Sequence, residues 1–289
     1  MNHQPQKVSG NTATEKTTTK TISEYRSRAL IVALISVNAS LYAVAIAVTS
    51  PIPTPWGVGH FRPGVVIPAF FAVVFGPVVG GVGAAIGCFL GDFALSFFGL
   101  TTPLLSLVAG VPGNLIGFFV LGWLVSKRRT LASFVVSNFV ALTLGNLIAA
   151  LGVVYSGFIV DWVLLPTEVK VSIVMGLTLF WLVTMIVFVT PLVPVLVYYV
   201  EPTLAKIGIR GVSNLKWKSG RDIVKASSIV ALVLVAIYIL VVFIPGGNQL
   251  FAGVVPSELL LLAASVVFLS GAVFAALSKK IMKDLLINP

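Results

Sequence analysis

The chain has 289 residues, of which 58% are hydrophobic and 10% charged, with a mean hydropathy of +1.07 and a net charge of +10. Soluble domains carry roughly 25% charged residues, so a soluble globular fold is excluded and an all-α, polytopic membrane helix bundle is expected. The apolar runs are continuous rather than alternating, which excludes a β-barrel, and the single cysteine, Cys88, excludes an intramolecular disulfide.

Residues 1–24 are rich in Thr and Lys, cannot bury a core, and read as a disordered cytoplasmic tail. The first apolar run is longer than a signal-peptide core and continues into small residues that pack, so it reads as a retained helix. Helices are expected at 28–49, 64–76, 79–98, 104–126, 130–155, 170–199, 226–245 and 257–278. With a cytoplasmic amino terminus, 17 of the 19 Lys and Arg residues fall inside, and only Arg62 and Lys170 fall outside. This asymmetry is the positive-inside rule at work. It predicts cytoplasmic termini in a multi-pass plasma-membrane protein, and makes the net charge an orientation signal beside the lipid bilayer rather than a sign of nucleic acid.

Residues 63–91 carry no charge and would also suit one long helix. That reading would put Lys127, Arg128 and Arg129 outside, so a hairpin broken at Gly76-Pro77 is preferred. Its first arm is then only about 20 Å long at 1.5 Å per residue, and needs shielding by protein. The Pro-rich loop 50–63 before it is expected to be stiff, like a lid over the outer face.

Small residues recur at four-residue spacing on the first helix (Ala29 and Ala33, then Ala39, Ala43 and Ala47) and on the third (Gly83, Gly87, Gly91). Such stripes let helices approach closely. The third-helix stripe reads as packing inside the bundle, with Cys88 beside it as a small apolar filler. Asp92 ends this helix. A carboxylate at that depth must face a partner, water or a ligand, and both an Arg62–Asp92 ion pair and direct substrate contact satisfy the requirement. Gly110-Val111-Pro112-Gly113-Asn114 is a kink sequence. Asn114 and Asn146 lie in outer halves where a cavity can open, whereas Asn38 and Asn138 read as interhelical glue. Tyr155 and Trp162 read as interfacial anchors. Trp56 and His60, in the loop, are candidates for ligand contact.

Several chemistries find no support. There is no Gly-Lys dipeptide and hence no phosphate-binding loop, two histidines make no zinc motif, and the acidic residues are scattered. No catalytic residue, metal site or cofactor is expected, and a membrane-embedded enzyme would need a cluster of reactive groups at one depth.

Phe61-Arg62-Pro63-Gly64, Phe75-Gly76-Pro77 and Gly91-Asp92-Phe93, in this order and spacing, resemble the substrate-binding membrane subunit, or S component, of energy-coupling-factor (ECF) vitamin transporters. The resemblance covers residues 25–201. It implies a six-helix domain that captures a vitamin or related micronutrient from outside, in the outer half of the bundle. Uptake would be driven by a separate transmembrane coupling protein and two cytoplasmic ATPases. It also implies that Ala29 and Ala33 form the docking surface for the coupling protein, although ordinary internal packing explains the motif equally well. The candidate substrate-binding set is Trp56, His60, Arg62, Asp92, Asn114 and Asn146. Its uncharged aromatic and amide members suit a flat heterocycle such as a flavin, pterin or deazapurine. A basic linker (202–225) and a two-helix membrane extension (226–289) depart from the family pattern. The alternative is an autonomous small-molecule facilitator or channel, or an accessory subunit of another membrane complex.

Overall fold

The computed structural model describes residues 12–50, 52, 60–206, 209, 215, 216, 219–253 and 256–287. Among them there are only helices and one isolated bridge. The helices are α1 (Thr12–Thr49), α2 (Val66–Phe75, entered through a 3-10 turn at Pro63–Val65), α3 (Pro77–Ser96), α4 (Val111–Arg128), α5 (Leu131–Tyr155), α6 (Thr167–Lys206), α7 (Gly220–Phe243) and α8 (Ser257–Ile287). Seven helical segments are long and apolar enough to cross a membrane, and Pro63–Phe75 is a shorter apolar helix. The bundle is thus the expected one, with the hairpin broken at Gly76-Pro77. Gly76 takes φ +93°, open to glycine but strained for other residues, and Pro77 then begins α3 without needing a backbone donor.

α2 solves the problem of a helix too short for a bilayer. Val66, Ala69, Phe70, Phe71, Val73, Val74 and Phe75 are all buried, so no face of it meets lipid. It is enclosed by α1, α3, α4 and α6. A helix that is apolar all round belongs in a core, and here it forms the axis of the first six helices.

Glycines set the close contacts. A Cβ on Gly80 would stand 2.3 Å from the Cβ of Ala72, and one on Gly87 would stand 2.7 Å from the Ala39 carbonyl oxygen. Gly83 leaves space for Asn38, whose amide donates to the Val79 carbonyl at 2.9 Å. The third-helix stripe is therefore packing against α1, while Gly80 beside it seats α2. Asn138 likewise donates to Thr190 Oγ1 at 3.1 Å, joining α5 to α6 as the glue reading requires.

Some boundaries differ. α1 begins at Thr12, so residues 12–24, expected to be disordered tail, are helical. Once nucleated in the apolar span, a helix extends at little cost per residue. α6 runs through Pro191, Pro194 and Pro202 to Lys206, and α7 starts at Gly220, which shortens the expected linker at both ends. In a bundle, neighbouring groups satisfy the backbone freed by proline, so proline is a weaker stop there than in water.

Lys216 crosses back to the α4–α5 turn. Its N–H donates to the Arg129 carbonyl at 2.7 Å, and its carbonyl accepts from Leu131 N–H at 3.2 Å. The basic run Lys127, Arg128 and Arg129 and the basic linker thus meet at one end of the bundle. α7 and α8 pack on each other and against α5 and α6, while α1 packs on α2 and α3.

Candidate binding site

The site is built where α4 breaks. Pro112 has no N–H, so the carbonyl of Val108 loses its ordinary helical partner. The chain responds with a π-helical turn over Ser106–Gly110, in which Val111 N–H bonds to the Ser106 carbonyl. The freed Val108 oxygen lies where a Cβ on Gly152 would stand, at 2.4 Å, so α5 must carry glycine there. The break is the one expected from Gly110-Val111-Pro112-Gly113-Asn114, and it turns polar groups into the bundle.

Arg62 and Asp92 form an ion pair, Nη2 to Oδ1, at 2.5 Å, with side-chain exposures of 12% and 3%. Asp92 Oδ2 accepts a hydrogen bond from Ser106 Oγ at 2.6 Å, and Arg62 Nη1 reaches Cys88 Sγ at 3.1 Å. Asn114 donates to Cys88 Sγ at 3.4 Å and to the Gly110 carbonyl at 2.8 Å, and accepts from Tyr42 Oη at 2.9 Å. Gly110 has no side chain to spare here, since a Cβ would lie 2.8 Å from Cys88 Sγ. The filler reading of Cys88 is therefore corrected. It is fully buried in the apolar core, but its sulfur also meets a guanidinium, a carboxylate and an amide.

Beside this cluster lies a cavity of about 520 Å³ up to its open mouth, lined by His60, Arg62, Asp92, Asn114 and Asn146 among others. A second cavity, about 370 Å³ when the open space at its mouth is counted, adjoins it, sharing Asn114, Asn146, Ala149 and Met185, and is otherwise apolar with Gly113, Gly117 and Gly145 in its wall. Five of the six candidate residues are thus brought to one cavity. Trp56 and the rest of 53–59 lie outside the described residues.

Two contacts fix the roof. His60 is buried, and its Nε2–H donates to the Leu100 carbonyl at 2.6 Å, tying the outer loop to the α3–α4 connection. Burial pushes its pKa below the ordinary 6.5, opposed in part by the Leu100 carbonyl, so the imidazole is neutral at neutral pH. Phe61 packs edge-on to Phe188 of α6, with ring centroids 5.7 Å apart.

Asn146 is 7% exposed, and its Nδ2 has no hydrogen-bond partner. A buried donor left in this way costs about 1–3 kcal/mol, a cost that an acceptor on a bound molecule would remove. Trp181, Met185, Thr101 and Ser106 also line the cavity and were not among the sequence candidates. Ser106 had a usable signal, being four residues before Gly110 in the kink sequence. Trp181 and Met185 look like any core residues of a membrane helix. Ala29 and Ala33 line neither cavity. Both are exposed on α1.

Breaking one side of a buried ion pair costs about 3–5 kcal/mol, because the remaining charge is uncompensated. Arg62→Ala and Asp92→Ala should each lower thermal stability by an amount of that order, and the double variant should recover part of the loss. Additive losses in the double-mutant cycle would show that the pair is not coupled.

In the comparison with protein families, residues 28–200 match the model described as "ECF-type riboflavin transporter, S component". Comparisons with curated proteins and with solved structures gave no match. The match spans more than half of the chain and runs from α1 to α6, a stretch that includes every residue lining the two cavities, and it is to a transporter family rather than an enzyme family. The protein belongs to the S-component family of ECF-type transporters.

Proposed function

We propose that the chain captures riboflavin from outside the cell and delivers it by docking on a separate coupling protein that carries two ATPases. The observation that supports this most is the convergence of His60, Arg62, Asp92, Asn114 and Asn146 on one cavity, within the segment that matches the riboflavin S-component family. A flavin has a flat apolar ring system with a polar imide edge and a polyhydroxylated chain. The paired cavities offer matching surfaces: an apolar compartment walled by Gly113, Gly117, Phe118 and Leu142, and a polar one at His60, Arg62 and Thr101. Asn146 stands in both, and its unpartnered N–H suits a ring carbonyl. Small molecules retained through mild-detergent purification should include riboflavin at near-stoichiometric amount by mass spectrometry. Asn146→Ala should weaken its binding about 10-fold, the low end of the cost of an unmet polar group. Retention of an unrelated compound, with no response to added flavin, would refute the assignment.

Capture from outside requires the cavity end to face outward. α4 has 18 residues, so the basic end at Arg128 lies roughly 27 Å along the helix from Val111 beside the cavity. The positive-inside rule then places Lys127–Arg129, Lys216 and both termini in the cytoplasm. A cysteine at position 216, in a Cys88→Ser background, should resist an impermeant thiol reagent in intact cells and react after permeabilisation. Labelling of intact cells would reverse the orientation.

Docking belongs to α1. Ala29 and Ala33 are exposed on a helix that α7 and α8 leave uncovered, and small side chains there let another membrane helix lie close. Ala29→Leu and Ala33→Leu should abolish uptake while riboflavin binding to the isolated protein is unchanged. Equal loss of both activities would assign the motif to folding instead.

A further inference from the structure

We propose that the basic end of α4 binds one anionic phospholipid, with the headgroup on Lys127, Arg128, Arg129 and Lys216 and an acyl chain along the helix. Leu115, Ile116, Phe119 and Trp123 are all exposed, and their spacing of three and four residues puts them on one stripe of α4. Lys127 continues that stripe, and its ammonium lies 5.2 Å from the centroid of the Trp123 ring. From Leu115 to Lys127 the helix rises roughly 18 Å at 1.5 Å per residue, close to half of a hydrocarbon core of roughly 30 Å. The stripe is therefore about as long as one leaflet is deep. An exposed Trp one turn before a Lys marks the headgroup level, where the indole sits at the interface and the ammonium reaches out of the apolar zone.

The cations at the foot of the stripe come from two segments. Lys127, Arg128, Arg129 and Lys216 are all exposed, and the backbone bridge at Thr130 fixes Lys216 beside Arg129 through bonds of 2.7 and 3.2 Å. Among the described residues, no carboxylate pairs with any of the four. The dipole of α4 favours cations in its last turn, which accounts for Lys127 and Arg128. It does not account for Lys216, which arrives from the linker. Nor does it explain Arg129, which takes φ +49° at a position where glycine or asparagine is usual. A phosphodiester supplies the missing counter-charge, and guanidinium groups hold one with paired hydrogen bonds. A soluble phosphate would use the cations and leave the apolar stripe idle. A phospholipid uses both.

The test is native mass spectrometry of the full-length protein, stripped of lipid in mild detergent and given equal amounts of phosphatidylglycerol and phosphatidylcholine. Binding is read in micelles, so the result stands apart from the orientation and from the riboflavin reading. Phosphatidylglycerol should be retained at least about 5-fold in preference, and each cation removed should cost about 5-fold. The triple variant Lys127→Gln, Arg129→Asn, Lys216→Gln should lose the preference, with asparagine chosen because it tolerates the left-handed backbone. Lys206→Gln with Lys279→Gln removes two exposed cations elsewhere and should leave it unchanged. If the triple variant does not fold, Lys216→Gln alone decides, with a loss of about 5-fold expected. Equal retention of the two lipids, or equal loss in the control variant, would overturn the proposal. Displacement of the lipid by excess glycerol phosphate would show a free-phosphate site and overturn it as well. Unselective lipid retention, with the triple variant failing to assemble with the coupling protein, would assign the patch to that partner instead.

Discussion

An arginine and an aspartate placed thirty residues apart in the chain, and too deep to be solvated independently, have to find each other. The Arg62–Asp92 pair satisfies that requirement, and much of the cavity end of the bundle follows from it. Arg62 stands at the entry to α2, Asp92 near the outer end of α3, and Ser106 binds the same carboxylate from the π-helical turn before α4. Three chain segments are thereby pinned to one side chain. Transferring an unpaired ion into such a place costs several kcal/mol, whereas a paired and hydrogen-bonded one is tolerated. Among the described residues lining the cavity, these two are the charged ones.

The second constraint is geometric. A ten-residue helix cannot cross a bilayer, so α2 exists only because other helices wrap it. Wrapping demands close approach, and Gly80, Gly83 and Gly87 supply it by leaving room for Ala72, Asn38 and the Ala39 backbone. Glycine in a membrane helix has a weak local preference for helix, but removing a Cβ lets dispersion contacts and interhelical hydrogen bonds form across the seam. The Asn38 amide reaching the Val79 carbonyl is one such bond.

The cavity and the face proposed for docking lie on separate parts of the molecule. The cavity is formed by the outer loop, the α3–α4 connection and α4 to α6, whereas Ala29 and Ala33 lie exposed on α1. The C-terminal pair α7 and α8 packs on α5 and α6 and so adds surface without covering α1. This separation is what a subunit needs if its binding site must remain intact while it engages a partner.

The membrane class, the helix order, the break at Gly76-Pro77 and the kink at Pro112 were legible in the sequence, because each rests on local physics. Apolar length, a missing backbone donor and the sidedness of basic residues act within a few residues of where they are read. The candidate residues Arg62, Asp92, Asn114 and Asn146 were legible for a related reason: a polar group in an apolar run must have a partner. Their convergence on one cavity was decided only by tertiary packing, as was the place of Cys88, which reads as a small apolar filler yet sits among a guanidinium, a carboxylate and an amide. Trp181 and Met185 were invisible, since an apolar side chain lining a cavity and one filling a core share the same sequence pattern. Local chemistry determines that a buried charge needs a counter-charge. Which residue answers it, and what space is left beside the pair, depends on how six helices pack.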